Sequence, residues 1–213
     1  MALHRPRSSF TIRVVGHLEP SIIWLPFAHA ADAQRVELRT LGREASRAAF
    51  RVAAAAWQAE HGPAAWAGAE LANDEHGAPH IAGHAGAPLI SITHTRGLAG
   101  CAIAIPGAPA PGIDAEPLDS SGVAALRTLA EETGEARHPW KDDAWPLRMW
   151  CAKESVVKAE RFGADALGRT LRIEHVGTLE ADFTQRVVVR SHRGRIHAVI
   201  TAVVGEHVRA WTG

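Results

Sequence analysis

WCAKESVVK, residues 150–158, sets Lys153, Glu154 and Lys158 within two helical turns, beside Trp150, Val156 and Val157. At helical periodicity Leu147, Trp150, Glu154, Val157 and Lys158 fall on or near one stripe. Glu154 and Lys158 form an i, i+4 pair with the glutamate on the N-terminal side, worth only ~0.3–0.5 kcal/mol on a solvated face. A surface ion pair explains the pairing but not its closeness to Trp150 and Val157. A partly buried carboxylate needs partners. The helix is expected over 143–162, with Asp143 as a cap and Pro146 tolerated in its first turn.

Partners are available upstream. In GIDAE (112–116), strand alternation points Asp114 and Glu116 to one face and Ile113 and Ala115 to the other. Two carboxylates on one face repel unless they lie in water or share a cation. With Glu154 they would make a three-carboxylate set suited to Mg²⁺, a hard ion that keeps waters and binds substrate phosphates. A pyrophosphate brought to that ion calls for further cations, and Lys153, Lys158 and Arg47 are candidates. Displacement at phosphorus, driven by positioning and charge neutralisation, is the chemistry implied. In SITHT (91–95), Ser91, Thr93 and Thr95 would share a strand face, with His94 opposite. Beside the turn at Arg96–Gly97 such groups can bind a phosphate, although a structural histidine is the plainer account.

Working outward, 10–15 (FTIRVV) and 21–25 (SIIWL) are expected strands. An alanine-rich helix is expected over 32–60, with a break allowed at Gly42; Arg43, Arg47 and Arg51 share one of its faces, solvated or anion-binding. Residues 62–88 are expected to be irregular. His76, His80 and His84 recur there at a spacing of four, but Gly77, Pro79 and Gly83 speak against the helix a metal site would need. Strands at 89–95 and 98–105 follow, then the loop PGAPAPG and the strand IDAEP, which is expected to pair antiparallel with what precedes it. A helix at 121–136, capped by Ser120 or Ser121, precedes Pro139. Four strand-like runs complete the chain. Strands, helix, strands, helices, strands in that order favour an α+β fold, with two related halves, 1–108 and 109–213, despite no visible sequence repeat.

The 213 residues suit one substantial domain or two closely packed halves. Lysine plus arginine and aspartate plus glutamate each number 23, so no whole-molecule basic field for nucleic acid exists. Cys101 and Cys151 sit in apolar runs without a CxxC pair, so buried thiols are expected rather than a zinc or redox site. No apolar run approaches the ~18 residues that span a membrane, and no signal-peptide pattern is visible; a cytoplasmic protein is expected.

Taken in order, THT (93–95), GIDAE (112–116) and WCAKESVVKA (150–159) resemble the 4′-phosphopantetheinyl transferase superfamily, in the long pseudo-dimeric class typified by the surfactin-synthetase activating enzyme. The family pattern is a histidine after a hydroxyl residue, G-[IV]-D-x-E, and W-x-x-K-E-[SA]-x-x-K. The resemblance runs from about Arg47 to Gly168. It implies two similar halves, each a small antiparallel sheet packed on helices. It also implies transfer of 4′-phosphopantetheine from coenzyme A to a serine of an apo acyl or peptidyl carrier protein. By motif position Asp114, Glu116 and Glu154 would hold Mg²⁺, with Glu154 also deprotonating the serine and Lys158 neutralising phosphate charge. His94 would contact the 3′-phosphate, and Arg47 falls near an arginine of like role; Thr93, Lys153 and Asp114 belong to the same coenzyme A surroundings. EHGAP (75–79) departs from the family at Ala78, where a basic residue is usual, which implies either weaker coenzyme A binding or compensation by Arg43 or Arg96.

Two other classes use similar groups. A Mg²⁺-dependent nuclease would need a basic groove, which the neutral charge balance disfavours. A non-catalytic carrier-protein or coenzyme A binding relative would be expected to have lost carboxylates or lysines that are all present here. Neither nucleic acid nor membrane is an expected partner, and two fused halves make a monomer the expectation.

Overall fold

The computed structural model describes residues 21–27, 35–105, 107–135, 142–161 and 170–212. The strand expected at 10–15 lies outside them. The elements run β1 (Ser21–Pro26), α1 (Arg35–His61), β2 (Leu71–Asn73), β3 (Pro79–Ile81), β4 (Ile90–Thr95), β5 (Leu98–Ile103), β6 (Ile113–Pro117), α2 (Val123–Glu132), α3 (Trp145–Ala159), β7 (Arg172–Leu179), β8 (Thr184–Arg190), β9 (Ile196–Val204) and β10 (His207–Thr212). The fold is mixed α+β, with three helices and small antiparallel sheets among the described residues.

Two sheets share one logic of connection. The first has the order β1-β5-β4 and the second β6-β10-β9-β8-β7. In each, the opening strand pairs with the closing strand, and the closing strand pairs with its predecessor. Between opening and later strands the first segment inserts α1, and the second inserts α2 and α3. The short hairpin β2–β3 stands apart as a third ladder.

Three apolar clusters follow from this arrangement. On α1 the buried Ala45, Ala49, Phe50, Ala53, Ala54 and Trp57 recur at helical spacing and cover Ile23, Ile90, Ala99, Cys101 and Ile103 of the first sheet. On α3, Leu147, Met149, Cys151, Ala152, Val156 and Val157 cover Val187, Val189, Val199, Val208 and Ala210 of the second. Between the sheets, Ile22, Trp24, Leu98 and Ala102 meet Ile113, Ala115, Ala202 and Trp211. Each sheet thus packs one face on its helix, and the seam strands β1, β5, β6, β9 and β10 pack the other face between the sheets, while β7 and β8 leave Glu174, Arg186 and Arg190 exposed.

Several expectations change. Helix α1 runs through Gly42 without a break, and the glycine there makes room for the His94 ring. Strand β6 forms its ladder with β10, not with the preceding strands. Its neighbour on the other side, β4, is joined through side chains: Ile113 N donates to Ser91 Oγ at 3.1 Å, and Thr93 Oγ1 donates to Asp114 Oδ1 at 3.1 Å. Glycine 122 and Ala144, rather than a serine and Asp143, occupy the N-caps of α2 and α3, neither with a side-chain cap. Asp142 instead pairs with the buried Arg148 at 2.9 Å. The expected irregular stretch carries β2 and β3, and its three histidines are not gathered into a metal group. Both thiols are buried and unbridged. Among the described residues no helix is long and apolar enough to cross a membrane.

Candidate active site

Helix α3 is buried along nearly its whole length. Only Trp150, Glu154, Lys158 and the terminal Ala159 escape full burial. The expected stripe divides: Leu147 and Val157 are buried and, with Val156, hold the helix down, whereas Trp150, Glu154 and Lys158 form its one partly exposed edge. That edge faces Asp114 and Glu116 on β6, whose alternation sends Ile113 and Ala115 into the core between the sheets. The two elements approach closely because of Gly112. A Cβ placed there would sit 1.8 Å from the Ser155 carbonyl oxygen, so only glycine lets the strand pass under α3.

Asp114 is the centre of the cluster and only 3% exposed. Its Oδ1 accepts from Thr93 Oγ1 at 3.1 Å and from Lys158 Nζ at 2.7 Å, while its buried Oδ2 has no hydrogen-bond partner. Lys158 Nζ also lies 3.8 Å from Glu154 Oε2. Burial, followed by the charge of Asp114, pushes both Glu116 and Glu154 up to about 7. Burial works against the Lys158 ammonium, but Asp114 and Glu154 more than offset it and the net shift is upward. Cys151 lies beneath the carboxylates, and its thiol is pushed far up by burial and then by their charge, which keeps it inert.

Beside this cluster lies a cleft of about 470 Å³ lined by Arg43, Ser46 and Arg47 of α1, His94 of β4, Ile92, and the β2–β3 hairpin. His94 Nδ1 is 3.1 Å from Ser46 Oγ, and a Cβ on Gly42 would come within 2.5 Å of the His94 ring. Burial, then the charges of Lys158 and Arg43, holds the imidazole below its ordinary value. The hairpin wall is built around Asp74, whose Oδ1 accepts from the backbone N–H groups of His76 and Ala78 at 3.0 and 2.8 Å. Asp74 Oδ2 accepts from Arg161 Nη2 at 2.9 Å. Arg161 follows α3 in the left-handed region, at φ 55°, and so ties the cleft wall to the helix that carries Glu154.

The structure thus brings together Asp114, Glu116, Glu154 and Lys158, and next to them Arg43, Arg47 and His94. Thr93 points at Asp114 and braces it. Lys153 does not join: it is fully buried, and its ammonium lies 2.6 Å from Glu135 Oε2. Glu135 also accepts from Thr133 Oγ1 at 2.7 Å and from Ile173 N at 2.8 Å, linking α2, α3 and β7. Of the two arginines weighed against Ala78, Arg43 lines the cleft, whereas Arg96 is turned to Asp119. Sequence reasoning missed Gly42, Ser46 and Arg161. A lone glycine in an alanine-rich helix, one turn before a serine, was the signal for the first two.

The donor set suits a hard divalent cation on two grounds: it consists of carboxylates, and Asp114 Oδ2 is buried without a partner. Among the described residues no three histidine, cysteine or carboxylate side chains are drawn together closely enough to hold a metal; Lys158 stands on Asp114 instead. The sequence matches no protein-family model, and no curated protein matches it.

Proposed function

We propose that this chain transfers 4′-phosphopantetheine from coenzyme A to a serine hydroxyl of an apo acyl or peptidyl carrier protein, leaving adenosine 3′,5′-bisphosphate. The observation that carries the proposal is the adjacency of two anion stations. The Arg43–Arg47–His94 cleft is matched to a phosphate monoester. The Asp114–Glu116–Glu154–Lys158 cluster is matched to a pyrophosphate held through a divalent cation. Coenzyme A carries both kinds of group. The repeated strand order of the two sheets, opening strand beside closing strand, supports two similar halves, divided in the segment between β5 and β6.

On this reading Asp114, Glu116 and Glu154 would hold Mg²⁺, which would supply charge neutralisation at the pyrophosphate. Lys158 neutralises the phosphate that is attacked and the bisphosphate that leaves. Glu154 takes the serine proton directly or through a water, by position more than by basicity, since a bound cation would oppose the rise that burial and Asp114 give its carboxyl in the metal-free protein. Thr93 and Lys158 fix the Asp114 carboxylate. His94, Arg43 and Arg47 bind the 3′-phosphate, Arg43 in place of the charge absent at Ala78. The protein is further proposed to act as a cytoplasmic monomer.

The test is incubation with Mg²⁺, coenzyme A and a panel of apo carrier proteins, read by intact-protein mass spectrometry. One carrier should gain the mass of a single phosphopantetheinyl group on a serine. A folded preparation that modifies no carrier on the panel overturns the reading.

A further inference from the structure

Ser46 has one hydroxyl hydrogen and two neighbours that could take it. Its Oγ is 2.8 Å from the Gly42 carbonyl oxygen, one turn back on α1, and 3.1 Å from His94 Nδ1. A carbonyl oxygen can only accept, so the shorter contact takes the hydrogen in the usual serine back-bond to the i−4 carbonyl. What Ser46 then offers His94 is a lone pair, and Nδ1 must carry a proton to use it. In a neutral imidazole that leaves Nε2 bare. Gly42 closes the arrangement, since any side chain there would strike the ring.

We propose that Ser46 is a positioning residue that locks neutral His94 as its Nδ1–H tautomer, so that the cleft takes up a phosphate monoester together with a proton on Nε2. A bare Nε2 repels a phosphate oxygen; a protonated one donates to it. The ionisable groups facing the ring decide the direction of the linkage. From α1 these are Arg43 and Arg47, from α3 Lys158, and from β6, behind Thr93, Asp114; the hairpin contributes Asn73, Gly77 and Pro79, none of them ionisable. In this cationic setting the ring gives up its proton readily. A dianion placed among the same cations reverses that balance, and the ring regains its proton from solvent. No covalent bond changes.

The inference rests on reading the cleft as a phosphate site, so the test separates the two. The first measurement needs no ligand: long-range ¹H–¹⁵N correlation of the His94 ring at pH 8 should show the Nδ1–H tautomer, and an Nε2–H ring overturns the lock. The second is Mg²⁺-free calorimetry with adenosine 3′,5′-bisphosphate in buffers of different ionisation enthalpy. Above pH 7 the phosphate is already mostly dianionic, with its second pKa at ~6, so proton uptake belongs to the protein. Uptake by Glu116 and Glu154 is set by the His94→Gln variant. Beyond that baseline, wild-type protein should bind up to about tenfold more tightly for each unit the pH falls from 8 to 7. Ser46→Ala frees the tautomer, so its pH dependence should flatten toward the His94→Gln baseline, with its loss of affinity smallest at pH 8. An equal loss at both pH values means that Ser46 only shapes the cleft, and absence of binding removes the phosphate site; either overturns the proposal. A protein that meets these tests yet modifies no carrier would lose the transferase reading and keep this one.

Discussion

Lys158 Nζ lies 2.7 Å from Asp114 Oδ1, and that contact joins α3 to β6, whose other neighbour is β4. Asp114 is buried and its second oxygen has no partner. Removing the ammonium leaves one buried carboxylate beside two more that burial and the charge of Asp114 already make costly to ionise. Lys158→Met is therefore expected to destabilise the metal-free protein at pH 8, on the order of 1–3 kcal/mol, and to abolish phosphopantetheinyl transfer. Mg²⁺ or acid should recover much of the stability, because each removes the uncompensated charge, but neither should restore transfer. Chemical unfolding at pH 5.5 and pH 8, with and without Mg²⁺, measures this.

The pH dependence of the metal-free protein has a definite sign. Glu116 and Glu154 titrate at about 7 when folded, against an ordinary value near 4.5. The folded state holds their protons more tightly than the unfolded chain. Their contribution is intact below pH ~4.5 and is lost as pH rises to about 7. His94 and His207, both held below their ordinary value chiefly by burial, act oppositely up to about 6.5. The readout is therefore a difference: the Glu116→Gln, Glu154→Gln double variant should lack the decline and melt higher than wild type at pH 8 without metal. Added Mg²⁺ should raise the melting temperature of wild type much more than that of the variant, and more at pH 8 than at pH 5.5. Equal metal stabilisation of both proteins would place the cation elsewhere.

Gly112→Ala tests the approach of β6 to α3. One methyl group would have to share space with the Ser155 carbonyl, 1.8 Å away, and backbone cannot rotate aside as a side chain can. Gly112 is also pinned on both sides, its N–H donating to Thr212 Oγ1 and its carbonyl accepting from Thr212 N, each at 2.9 Å. The strand cannot slip, so the helix must lift. A loss of about 3 kcal/mol or more is expected, with transfer falling further than stability because Glu154 and Lys158 move with the helix. Thermal melts and carrier-modification rates check it; activity retained at wild-type level would mean that α3 is not held where the structure puts it.

Much of this geometry was legible because it follows from local periods. Alternation in GIDAE gave the facing of Asp114 and Glu116, and helical spacing put Glu154 and Lys158 on one edge. The stripe through them is only partly apolar in the fold: Leu147 and Val157 are buried, while Trp150 stays partly exposed beside Glu154 and Lys158. Partners set by tertiary contact were not legible at all. Nothing local tells β6 to pair with β10, more than eighty residues later, or tells Ser91 and Thr93 that their hydroxyls will bridge to β6. Arg161 reaching Asp74 across the cleft wall is likewise a product of closure. The motif reading also treated every lysine of the WCAKESVVK stretch as facing substrate, whereas a helix buried on three sides must send Lys153 inward.

Lys153 is the case where the motif reading and the packing make opposite predictions. As a phosphate contact, Lys153→Met should raise the KM for coenzyme A and leave stability alone. As the buried partner of Glu135, at 2.6 Å and fully enclosed, it should leave KM unchanged in the folded protein and cost stability. Burial pulls the ammonium down, and Glu135 is what opposes that pull. Methionine keeps the length of the side chain but strands a carboxylate that is 4% exposed. Thr133 and Ile173 still donate to that carboxylate, so the loss should fall at the lower end of the ~3–5 kcal/mol typical of a broken buried pair. Neutralising the stranded group as well, in Lys153→Met with Glu135→Gln, should return a good part of that loss. Denaturant melts of the two variants against a coenzyme A titration of initial rates separate the accounts: a raised KM with unchanged stability would return Lys153 to the phosphate.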